Sequence, residues 1–179
     1  MVKHSILRGC LVGLGLLLAT SSWAATEEYG YPIKDKYVAT VVGTPSEYFA
    51  DLPKKIPFKT RRVSIFPDRE VPDAFFYDSE LLYSVALQKK AAPLIFMIAG
   101  TGSSHNGGTN YQMARAFYQA GFHVVSVSSP TFTNFVISAS RTGVPGHAEH
   151  DAEDLYRAME KIHSILLEKD KLEITGFNL

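Results

Sequence analysis

The chain has 179 residues, 46% of them apolar and 20% charged, which is enough hydrophobic material for a folded core and too much for a disordered chain. Eighteen basic and eighteen acidic residues cancel, so there is no electrostatic basis for nucleic-acid binding. The single cysteine excludes an internal disulfide and a Cys-rich zinc site.

Residues 1–24 have the pattern of a secretory signal peptide. Lys3 and Arg8 give a positive start, residues 11–19 are a short apolar run, and the small residues Ser22 and Ala24 precede an expected cleavage after Ala24. The run is about nine residues against the ~20 needed to cross hydrocarbon, so stable membrane insertion is not expected. A lipoprotein reading at Cys10 fails because the apolar segment follows the cysteine. Export to the periplasm or the cell exterior is the implied location. Loss of Lys3 and Arg8 leaves 16 basic against 18 acidic residues, and loss of Cys10 excludes a thiol enzyme.

Residues 25–36 read as an irregular lead-in. Residues 37–42 (YVATVV), rich in β-branched and aromatic side chains and ending at Gly43, predict a strand. Pro53 and Pro57 bracket a loop. Residues 61–66 (RRVSIF) alternate polar and apolar and predict a second strand, and residues 81–87 (LLYSVAL) a third. Residues 94–99 (LIFMIA) form a continuous apolar run, as in a strand covered on both faces. The glycine-rich segment 100–108 follows, then a helix from about Thr109. Its predicted face is Met113, Ala116, Phe117 and Ala120, with Gly121 as the stop. Residues 123–127 (HVVSV) predict another buried strand. A longer helix begins near His147 with Ala148, Ala152, Leu155, Met159, Ile162 and Leu166 along one face. Asp151, Glu153 and Asp154 load its first turns with negative charge, which the helix dipole favours. Residues 172–179 (LEITGFNL) predict a last strand.

Strands alternating with helices from residue 94 onward predict right-handed βαβ units on a parallel sheet, so the class is α/β with antiparallel amino-terminal strands leading into a parallel half. Residues 93–102 (PLIFMIAGTG), with the helix and strands after them, resemble the third strand and oxyanion loop of the α/β-hydrolase family. The resemblance covers residues 37–179 and implies an incomplete α/β-hydrolase-like domain there. In that family the strand matched by residues 172–179 is followed by a Gly-x-Ser-x-Gly nucleophile elbow, and the acid and histidine come later. The sequence contains no Gly-x-Ser-x-Gly. The resemblance therefore implies the amino-terminal part of a serine esterase- or lipase-like hydrolase that acts on an ester or amide. This chain, lacking nucleophile, acid and histidine, is expected to be a truncated product or partial record, inactive alone.

The same resemblance makes the backbone N–H of Gly102 or Ser103 the candidate oxyanion-hole donor. His105 is a candidate for lining a substrate pocket, with a water-facing role as its alternative. Phe132 and Phe135, after a parallel strand, are candidates for meeting an apolar substrate group, with packing as theirs. Residues 102–109 are spaced like a phosphate-binding loop, but Gly108 stands where the lysine is needed. Gly100-Thr101-Gly102 begins a dinucleotide fingerprint that His105 interrupts. His147, His150 and Asp151 could converge on a metal, but without a further ligand they read as a solvated helix start. No cofactor or metal is expected. A sheet ending at residues 172–179 is expected to expose an apolar edge and to self-associate or be marginally stable. The alternative function is a non-catalytic exported α/β protein that binds a small ligand or partner through residues 100–108 and 130–140.

Overall fold

A computed structural model describes residues 30–43 and 48–179. The expected leader at 1–24 and its cleavage after Ala24 lie outside the described residues. The described residues fall into two units, the first ending at Phe49 and the second, Ala50–Leu179, carrying the sheet.

In the first unit the expected strand at 37–42 is instead a helix, α1 (Lys36–Val42). The Asp35 carboxylate accepts from the N–H groups of Tyr37 and Val38 at 3.0 and 2.9 Å, satisfying donors that a helix start leaves orphaned. Gly43, at φ 73°, ends it. The β preference of Val and Tyr reflects packing on a sheet face more than a backbone demand, and no described strand pairs with this segment.

The second unit is an α/β structure built on a mixed five-stranded sheet of order β1-β2-β4-β3-β5. Its strands are β1 (Lys59–Val63), β2 (Leu81–Ala86), β3 (Ala92–Ile98), β4 (His123–Val127) and β5 (Ile174–Asn178). The segments expected at 81–87, 94–99, 123–127 and 172–179 are all strands. The one expected at 61–66 begins two residues early and ends at Val63, leaving Ile65 beyond it to pack on the core. β1 and β2 pair antiparallel, as do β2 and β4, whereas β4 and β5 flank β3 in parallel. The expected antiparallel lead and parallel half are therefore present.

Helices cover both faces. On one face α4 (Ala148–Glu168) and α3 (Thr133–Ser138) pack over Leu81, Tyr83, Leu94, Phe96, Val125 and Val127. On the other α2 (Gly108–Gln119) packs over Ala86, Ile95, Met97 and Val124. Alternate residues of one strand feed the two layers, which is why the central strands are apolar throughout. Neither α3 nor the 3-10 turn Asp73–Asp78 shows a readable period, each being only six residues long.

The buried helix faces match the apolar stripes of the sequence only in part. In α2 Met113, Ala116 and Ala120 are exposed and the expected Phe117 packs inward with Asn110 and Ala114, Asn110 finding a partner inside. In α4 Ala148 and Ala152 are exposed, whereas the expected Leu155, Met159, Ile162 and Leu166 pack on the core, joined by Asp154 and Ala158. Asp154 is buried: its carboxylate accepts from the Arg141 backbone N–H at 2.8 Å and from Arg157 at 2.7 Å. Among the described residues no helix is long and apolar enough to cross a membrane.

Candidate functional site at the carboxyl edge of the sheet

The parallel strands β3 and β4 release their chains at the same end of the sheet, and the loops that follow them are laced together there. Gly102, at φ 71°, takes a left-handed turn that L side chains rarely adopt, which explains a glycine at this position. Its N–H donates to the Thr131 hydroxyl at 2.8 Å. The Ser103 N–H donates to the Gly100 carbonyl at 2.9 Å, and the Ser103 carbonyl accepts from the Ser129 N–H at 3.0 Å. Both candidate oxyanion donors thus sit in the loop at the carboxyl edge, and both are engaged within the chain. The bond from Gly102 goes to a side-chain hydroxyl, which an anionic acceptor can outcompete. The bond from Ser103 closes a backbone turn. Ser104 donates its hydroxyl to Asn106 at 2.8 Å and turns the chain toward α2.

His105 does not face water; it is 3% exposed and points into the molecule. Its Nδ1 lies 2.7 Å from the Ser84 hydroxyl on β2. Its backbone N–H donates to the Ser128 hydroxyl at 2.9 Å, and its carbonyl accepts from the Ser126 hydroxyl at 2.6 Å. Asn110, one turn into α2, donates to the same Ser126 oxygen at 2.8 Å. Desolvation of the buried ring pulls the His105 pKa down to about 4, so the imidazole is neutral near pH 7. The sequence reading missed the partners Ser84, Ser126, Ser128 and Asn110. The signal was there as lone serines inside apolar strands (LLYSVAL, HVVSV), but their common target is set by pairing, which aligns Ser84 with Ser126.

Phe135 takes the packing alternative. It is fully buried in the core with Leu81, Tyr83 and Ile162, so it packs rather than meets a substrate. Phe132 is half-buried at the N-terminus of α3, where its N–H donates to the Ser129 carbonyl at 2.9 Å. At the start of α4 the rings of His147 and His150 stack at 4.0 Å, while the Asp151 carboxylate turns back to accept from the Gly146 N–H at 2.8 Å. The three do not converge, and among the described residues no group of three or more His, Cys, Asp and Glu is arranged to hold a metal.

An open apolar groove of about 480 Å³ lies elsewhere, between α4 and β5, with Phe96, Tyr156, Met159, His163, Phe177 and Leu179 on its walls. Phe177 is 60% and Leu179 82% exposed. The His163 ring meets Phe177 edge-on at 4.8 Å, and its Nε2 is buried with no hydrogen-bond partner among the described residues. β5 is the last strand of the sheet on this side, so its outer edge pairs with no described strand.

In comparisons with known proteins the chain matches no family model, no curated protein and no solved structure.

Proposed function

We propose that the chain is the amino-terminal part of an exported serine hydrolase of the α/β-hydrolase type, esterase- or lipase-like, with an ester or amide as substrate. The observation that carries this reading is the register of β5 against β3. Asn178 stands opposite Ile95, so a chain running on in the same register would draw level with Gly100 after about five more residues. In open α/β sheets ligands bind outside the carboxyl ends of the strands, where successive connections leave in opposite directions. Here β3 connects to β4 on one side and the chain returns to β5 on the other, so that crevice lies between β3 and β5, beside the 100–107 loop. A nucleophile on a sharp turn after β5 would face donors from the loop after β3, which is the geometry acyl transfer needs.

Residues 1–179 contain no nucleophile elbow, so no hydrolase turnover is expected from them alone. Reading the coding DNA past codon 179 tests the proposal: a Gly-x-Ser-x-Gly within about ten codons supports it. A stop followed by unrelated sequence overturns it, as does serine-inhibitor-sensitive turnover of a short-chain p-nitrophenyl ester by the 179-residue chain.

One observation favours the non-catalytic alternative. The Gly102 and Ser103 amides already have partners within the chain, as expected of a loop that holds its shape without a reacting oxyanion. Under that reading the same crevice binds a small ligand or partner, and thermal-shift screening of the chain against short-chain acids, esters and amides tests it.

A further inference from the structure

His105 holds the loop after β3 onto the sheet from beneath. Its backbone N–H, backbone carbonyl and ring Nδ1 bond to three serine hydroxyls, those of Ser128, Ser126 and Ser84. Two of these serines are on strands β2 and β4, and Ser128 directly follows β4. The hydrogen-bond partners of the residue are uncharged: Ser84 from β2, Ser126 and Ser128 from β4 and its exit, with Asn110 of α2 bonded in turn to Ser126. No Asp, Glu, Lys or Arg is among its hydrogen-bond partners in the described residues, and burial alone depresses its proton affinity, with no charge contributing. A neutral imidazole suits this site. An imidazolium there would be a buried cation without a counter-charge, and the way to hydrate it is to move the ring, and the loop with it, off the sheet.

We propose that His105 is a positioning residue that pins the 100–107 loop to β2 and β4 only while its ring is neutral, so that acid frees the loop together with the Gly102 and Ser103 amides. The inference goes beyond the hydrolase reading and does not depend on it, because every bond invoked lies within residues 84–131.

Amide hydrogen exchange of the full chain from pH 7 to pH 4, corrected for the intrinsic pH dependence of exchange, tests it, with the His105 ring proton followed by NMR over the same range. Protection at Gly102 and Ser103 is expected to fall about tenfold or more in acid, while Val125 at the centre of β4 is unchanged. The ring is expected to titrate in the same window. His105→Asn keeps a hydrogen-bonding atom near the position of Nδ1 and cannot ionise; it is expected to retain loop protection at pH 7 and to lose the acid step. Ser128→Ala, which removes the acceptor of the His105 N–H, is expected to weaken loop protection at both pH values. An acid step unchanged in His105→Asn, a ring that titrates near 6.5, or loop protection flat across the range overturns the proposal. Where His105→Asn does not fold, coincidence of ring titration and loop release in the wild-type chain decides. Failure of the hydrolase reading registers in the downstream coding sequence and leaves these exchange results unaffected.

Discussion

The backbone N–H of Gly102 donates to the hydroxyl of Thr131 at 2.8 Å, tying the loop after β3 to the loop after β4. The bond engages one of the two candidate amides, and Thr131 also contacts the Ser129 hydroxyl at 2.8 Å. Thr131→Ala is therefore expected to free the Gly102 N–H. Stability should fall by no more than about 1 kcal/mol, because Thr131 is exposed and water replaces the lost partner. Hydrogen exchange at Gly102 and a urea melt check both parts; unchanged Gly102 protection contradicts the assignment.

His105 makes stability depend on pH. Its folded pKa, about 4, lies below the ordinary value of 6.5, so the native state binds the proton more weakly than the unfolded chain. Its contribution is complete above pH 6.5 and is lost as the pH falls toward and through 4. The loss is at most about 3.5 kcal/mol, since each tenfold weakening of proton binding is worth ~1.4 kcal/mol. Urea denaturation of wild type and His105→Asn at pH 7, 5.5 and 4 checks this, and the variant should show a shallower acid decline.

Asp154 is the buried anchor of α4. Replacing it by Ala leaves the Arg141 N–H without its acceptor and removes the partner of Arg157. The expected cost is about 2–4 kcal/mol. Glu149, exposed in the first turn of the same helix, is the comparison, and Glu149→Gln should cost less than about 0.5 kcal/mol. Equal effects of the two variants in a denaturant titration would show that Asp154 is not the anchor.

β5 has an outer edge that no described strand pairs with, an exposed Phe177 and an exposed Leu179 just after it, an arrangement suited to strand-to-strand association. A device that blunts edges is present as well. β5 carries an extra residue between the pairs Ala92↔Ile174 and Leu94↔Phe177, a bulge that includes Gly176. Sedimentation velocity of the 25–179 chain is expected to show concentration-dependent association that Phe177→Lys reduces. A monomer at every concentration would remove the edge as an association surface.

Local sequence carries much of this fold. The apolar runs at 94–99 and 123–127 read as buried strands because a strand covered on both faces has no polar alternation to hide. His147 and Gly121 mark helix ends through their own capping and turn geometry. The segment at 37–42 misled because Val and Tyr favour a sheet face only where one is offered, and Asp35 offers a helix cap instead. Of the candidate site residues, Gly102 and Ser103 lie at the carboxyl edge that the element order implies, whereas His105 and Phe135 turn inward.

The amino-acid order by itself determined the strands from residue 81 onward, the stop of α2 at Gly121 and where the glycine-rich loop falls, since each depends on side-chain period or backbone freedom within a few residues. Only the tertiary structure decided that Ser84, Ser126, Ser128 and Asn110 converge around His105, that Asp154 is a buried anchor, and that Asn178 stands opposite Ile95. Those relationships join groups far apart in the chain, and a buried polar group's partner is chosen by strand pairing and desolvation, which leave no periodic trace in sequence.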